Sequence, residues 1–239
     1  MTVYSPEGKN TGTAVVVFPG GGYVRLAIDL EGTEVCDWLT SAGITCVLLK
    51  YRVPSLPYDW HCDCRPNGRA ISTLALEDAQ RTIGLVRFHA NEWHIDPHKI
   101  GVLGFSAGGY LVAEISTHFD QRLYAPVDAP DRESCRPDFA VALYPGHLWT
   151  EDNFELNPLI RVTRQTPPTF LLQAENDPTD PVQNSLAYWA ALKQVGVPVE
   201  MHLYAEGGHA FGLRRTEFPI TEWPKLVERW LLTIGITPK

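Results

Sequence analysis

Gly104-Phe105-Ser106-Ala107-Gly108-Gly109 follows the apolar run Ile100-Gly101-Val102-Leu103 and opens a second apolar stretch that continues to His118. The first run reads as a buried strand and the stretch from Gly108 as a helix. The hexapeptide between them therefore predicts a sharp strand-to-helix turn with a serine at its tip. Flanking glycines remove the side chains that would collide in such a turn. The hydroxyl is then exposed at the carboxyl edge of a sheet, where the new helix directs unpaired N–H groups at developing negative charge.

Five further runs on either side read as strands: residues 13–18, 44–49, 139–144, 169–172 and 199–204. Their near-continuous apolar character suits a parallel sheet covered on both faces. Helical spacing of apolar residues marks 31–41 and 73–93, and helices over 108–118, 181–195 and 221–234 complete the alternation. The βαβα order predicts an α/β, doubly wound, mostly parallel sheet, and the 239 residues suit one domain over 1–239. Segments 54–70 and 119–137 read as surface excursions. Segment 146–168 leaves a strand's carboxyl end and is the expected minimal cap over a crevice.

Composition narrows the function classes. Hydrophobic residues at 44% and charged residues at 20% exclude long disorder. A net charge of -8, with no basic run longer than Arg214-Arg215, argues against a nucleic-acid surface. No apolar run reaches membrane-spanning length. Residues 1–6 lack the basic-then-apolar pattern of a secretory signal, so the expectation is a cytoplasmic chain, or an exported one whose leader has been removed. Cys36, Cys46, Cys62, Cys64 and Cys135 are expected as reduced thiols. His61-Cys62-Asp63-Cys64 lacks the matching second pair of a zinc site, so no metal is expected.

Chemistry concentrates after the strands. Pro19-Gly20-Gly21-Gly22-Tyr23 carries neither phosphate-loop pattern, and beside the serine turn it reads as an oxyanion loop. A serine hydroxyl needs a base oriented by a third group. Of eight histidines, only His209, in Glu206-Gly207-Gly208-His209-Ala210-Phe211-Gly212, sits on a glycine-rich loop directly after a strand. The acid falls in Glu175-Asn176-Asp177-Pro178-Thr179-Asp180-Pro181, where Asp177 and Asp180 both qualify. Serine, acid and histidine then occur in the order this architecture imposes.

These motifs, with Leu49-Lys50-Tyr51-Arg52, Glu77-Asp78-Ala79-Gln80-Arg81, Ile95-Asp96-Pro97 and Glu31-Gly32, resemble the α/β-hydrolase superfamily, in particular small bacterial acetyl-esterase and lipase-like enzymes. The resemblance covers nearly the whole chain. It implies Ser106 as nucleophile, His209 as base, Asp177 as orienting acid, and the N–H groups of Gly21, Gly22 and Ala107 as oxyanion donors. Tyr23, Trp149 and Phe211 are the expected substrate contacts. Pro19 stands where the hormone-sensitive-lipase pattern has histidine, which weighs against large lipid substrates. Asp180 immediately precedes Pro181 at the expected start of a helix, where a carboxylate caps free N–H groups. The expectation is a serine carboxylesterase acting on small acyl esters, acetyl or feruloyl groups on carbohydrate among them, without cofactor. A serine peptidase, or a binding protein that has lost turnover, is the alternative.

Overall fold

The computed structural model describes residues 1–53, 72–150 and 154–238. Trp60, Cys62, Cys64 and the rest of the 54–70 excursion lie outside them. Nine strands are described: β1 (Thr2–Tyr4), β2 (Ala14–Phe18), β3 (Thr45–Leu48), β4 (Ile100–Phe105), β5 (Ala140–Leu143), β6 (Trp149–Thr150), β7 (Glu155–Leu156), β8 (Thr169–Ala174) and β9 (Val199–Tyr204). The helices are α1 (Glu34–Ser41), α2 (Thr73–Phe88), α3 (Ala107–Ile115), α4 (Gln183–Val195) and α5 (Trp223–Thr233). Seven strands form one sheet in the order β1-β3-β2-β4-β5-β8-β9. All pairs are parallel except the edge strand β1, which runs antiparallel to β3.

Strand pleating explains why both faces are covered. In β2, Val16 and Phe18 enter one apolar cluster with Leu76, Ile83 and Leu111, whereas Val15 and Val17 enter another with Leu39, Val227 and Trp230. Thus α2, α3 and α4 cover one face, and α1 and α5 the other. Each large apolar side chain so buried contributes about 1.5–3 kcal/mol. Among the described residues no helix is long and apolar enough to cross a membrane.

Three local readings change. β1 pairs through only three residues, too short to show periodicity in the sequence. α2 stops at Phe88 rather than Trp93, because Ile95 N–H turns back to the Ala90 carbonyl and His94 takes a positive φ of 54°. α4 begins at Gln183, two residues after Pro181, with Val182 as its N-cap.

The thiol expectation is corrected as well. Cys36 and Cys46 form a disulfide across a Cα–Cα distance of 5.2 Å. The turn at Ala42-Gly43 lays α1 over β3, which brings these two buried positions together; Cys135 is free and buried. With 10 residues of separation, the Cys36→Ala/Cys46→Ala double variant should lose about 2–3 kcal/mol of unfolding free energy. Urea denaturation measures this, and alkylation without reductant should leave both cysteines unmodified in the unvaried protein.

Candidate active site

The serine is held by its backbone. β4 ends at Phe105, α3 begins at Ala107, and Ser106 between them adopts φ 52°, ψ −120°. A non-glycine residue at positive φ is strained, and such strain gathers at functional sites. Its neighbours allow the turn. A Cβ at Gly104 would collide with the Gly108 carbonyl, and a Cβ at Gly108 with the Phe18 carbonyl of β2. Ser106 N–H donates to the Leu143 carbonyl at 3.1 Å, which ties the turn to β5.

Two parallel neighbours deliver the other partners. β8 and β9 pair through Ala174 and Tyr204, so the loops that follow them leave the sheet side by side. Asn176 Oδ1 joins those loops by accepting Gly207 N–H at 3.1 Å and Gly208 N–H at 2.9 Å. His209 Nδ1 lies 2.8 Å from Asp177 Oδ2, and His209 Nε2 lies 3.1 Å from Ser106 Oγ. Asp177 Oδ1 accepts the N–H groups of Thr179 and Asp180 at 2.8 and 3.0 Å, which fixes the carboxylate. Burial opposes protonation of His209. The hydrogen bond and charge of Asp177, followed by the charges of Asp180 and Glu31, outweigh it and hold the imidazole pKa above its ordinary value.

Glu31 supports the site from behind, a role that sequence reading missed because Glu31-Gly32 marked only a resemblance. Its Oε2 accepts Gly20 N–H at 2.7 Å and its Oε1 accepts the Tyr144 hydroxyl at 2.9 Å. Tyr144 in turn accepts Gly212 N–H at 3.2 Å, and its ring meets His209 at 4.9 Å. Burial raises the Glu31 carboxyl pKa despite those two bonds. One carboxyl thus links the Gly20–Tyr23 loop to the histidine loop. Gly20 is packed closely enough that a Cβ there would come within 3.0 Å of Ser106 Cβ. Ala107 contributes a first-turn N–H of α3, a position without an intrahelical partner.

Other expected contacts are placed differently. Tyr23 is fully buried in the core with its ring 5.8 Å from Tyr51, and Phe211 is buried with its ring 4.6 Å from Tyr144. Both rings belong to the apolar clusters that cover the two faces of the sheet. Trp149 is half-buried on the β6–β7 hairpin, which Asn184 Oδ1 fastens to α4 through Leu148 N–H and Trp149 N–H at 2.8 and 3.0 Å. The largest correction is Asp180. It makes no cap on α4; its Oδ2 lies 3.2 Å from Ser106 Oγ and 3.7 Å from His209 Nε2. The turn closed by Asp177 Oδ1 accounts for this, since it folds 177–180 back over the serine.

A strained serine, a histidine bonded to it and an aspartate behind that histidine form the apparatus of nucleophilic acyl transfer. The prolyl oligopeptidase family profile matches residues 73–234, and that of the BD-FAE family matches residues 1–144. This chain is a member of the α/β-hydrolase esterase family. It is similar to an acetyl ester-xyloside bifunctional hydrolase from Caldicellulosiruptor lactoaceticus, with 37% identity, a TM-score of 0.83, and coverage of 99% of this chain and 88% of that one. An acetylxylan esterase from Xylanibacter ruminicola is 30% identical over 89% of this chain and 43% of its own length. An endo-1,4-beta-xylanase B from Butyrivibrio fibrisolvens is 27% identical over 85% of this chain and 33% of its own. The chain therefore spans less than half the length of those two curated relatives.

Ser106→Ala should fold normally and lower kcat about 10³-fold or more, with fluorophosphonate labelling lost. Asp177→Asn should lower kcat by up to about 10⁴-fold, because the imidazole loses its tautomer and its ionic partner. A histidine base acts only when neutral, so with His209 in that role kcat/KM in the unvaried enzyme should fall on acidification with a midpoint above ~6.5, the ordinary imidazole value. Initial rates across pH measure it.

Proposed function

We propose that this chain is a serine carboxylesterase that removes acetyl groups from carbohydrate esters. The observation that carries the reading is the continuous Ser106–His209–Asp177 contact at the strained turn. The similarity to an acetylxylan esterase and to an acetyl ester-xyloside hydrolase supports the substrate class.

In the proposed reaction Ser106 Oγ attacks the ester carbonyl while its proton passes to His209 Nε2. Asp177 stabilises the imidazolium through Nδ1, and the N–H groups of Gly21, Gly22 and Ala107 receive the oxyanion. His209 then protonates the departing alcohol, which leaves an acetyl-Ser106 ester. Water, deprotonated by the same histidine, releases acetate and restores the serine.

We read the acyl side as the small one. The β6–β7 pair carries Trp149, and Tyr23 and Phe211 are buried in the core. Acetyl to butyryl esters should therefore be hydrolysed faster than esters of ten carbons. A peptidase reading draws on the prolyl oligopeptidase match. It requires turnover of an acylated amino-acid amide at a rate comparable with the corresponding ester.

A substrate panel tests both. Nitrophenyl acetate should give a pre-steady-state burst of one equivalent per active site. Acetylated xylooligosaccharides should lose acetate faster than feruloylated ones lose ferulate. Rates that climb steadily with acyl length, or faster release from amides than from esters, would overturn the assignment.

A further inference from the structure

The sequence offers two aspartates after β8, and a triad needs only one of them. The second is not idle. Asp180 is buried, with 8% of its surface exposed, and Oδ2 faces both atoms between which the serine proton travels. Its ion-pair partner among the described residues is His209 alone, with no lysine or arginine paired to it. The fold also keeps the space free for it, because a Cβ on Gly146 would lie 2.8 Å from the Asp180 carboxyl carbon.

We propose that Asp180 is a fourth catalytic residue, whose carboxylate stabilises the imidazolium formed at His209 when Ser106 attacks. The inference rests on the Ser106–His209 reading given above.

Before attack, Ser106 Oγ carries one proton and has two acceptors, His209 Nε2 at 3.1 Å and Asp180 Oδ2 at 3.2 Å. On attack the Oγ–carbonyl carbon bond forms, the π pair moves onto the carbonyl oxygen, and the proton leaves Oγ for Nε2. Oγ then has no hydrogen to offer Asp180. The carboxylate is left facing the new Nε2–H across 3.7 Å, the separation in the resting enzyme. Asp180 accepts no proton here. The proton goes on from Nε2 to the alcohol oxygen as the C–O bond breaks, and in deacylation the same charge reappears and is stabilised in the same way.

A carboxylate buried without a permanent cation is costly in the resting enzyme. That is visible at Asp180: burial pushes its carboxyl up to about 6, His209 opposes the rise, Asp177 adds to it, and the bond from Ser106 opposes it. The compensating cation exists only after proton transfer. An interaction stronger in the transition state than in the ground state accelerates the chemical step. His209 then stands between two carboxylates, Asp177 at Nδ1 and Asp180 at Nε2, with Glu31 adding charge from behind Tyr144.

Asp180→Asn and Asp180→Ser both remove the charge, the first keeping the volume and the second keeping a short polar group. Their pH–rate profiles on nitrophenyl acetate, their fluorophosphonate inactivation rates and their melting temperatures form the test. The expected result is a kcat about tenfold lower or more, inactivation slowed in parallel, and the acid limb of kcat/KM moved to lower pH. The direction follows because the charge of Asp180 raises the His209 pKa, so removing it lets the base stay neutral in more acid solution. Wild-type kcat in a folded variant overturns the proposal, as does a lowered kcat with the acid limb unmoved, which would mean Asp180 acts through packing. Turnover retained by Ser106→Ala would overturn the underlying triad reading instead; an inactive Ser106→Ala beside silent Asp180 variants would remove only this inference.

Discussion

Everything in the site depends on one backbone constraint, the positive φ of Ser106. A serine in ordinary helical or extended geometry would not make the sharp strand-to-helix turn that exposes its hydroxyl. Held at 52°, it projects beyond the carboxyl edge, where the loops after β8 and β9 can reach it. The strain is maintained from several directions: Leu143 accepts the serine N–H, Gly104 and Gly108 remove the clashes, and the buried strands β2 and β5 leave the turn no room to relax. Strain of this kind, of order 1–3 kcal/mol, persists only where the surroundings over-determine it.

Carboxylates organise the rest. Asp177 orients His209, Glu31 joins the glycine loop to Tyr144 and so to the histidine loop, and Asp180 faces the proton-transfer atoms. Burial raises two of these groups, Glu31 and Asp180. Negative charge gathered around His209 favours its protonated form, the form through which the proposed acyl transfer passes. The electrostatics thus favour the ionised imidazole over the resting one, which is the direction acyl transfer requires.

Sequence reading singled out Ser106, His209 and Asp177, which the structure brings into hydrogen-bond contact, because each follows a strand and carries its own local signature: a glycine-flanked serine, a glycine-rich histidine loop, and an acid in the required chain order. It went astray where identity alone was the signal. Asp180-Pro181 resembles a helix start, but the helix begins two residues later and the Asp177 turn redirects the carboxylate. Tyr23 and Phe211 sit beside site residues in the chain yet point into the core, since adjacency along a loop does not fix which way a side chain faces.

Hydrophobic periodicity and turn chemistry, both local properties, were enough to determine a doubly wound sheet and the positions of Ser106, His209 and Asp177. Tertiary packing set the local pairing of Cys36 with Cys46 and the long-range pairings of Glu31 with Tyr144 across 113 positions and Asp180 with Ser106 across 74. The last two arise because β2 and β5, and likewise β4 and β8, stand two places apart in the sheet yet are distant in the chain. Their loops meet at one edge only after the parallel register is set, and no window of sequence contains that geometry.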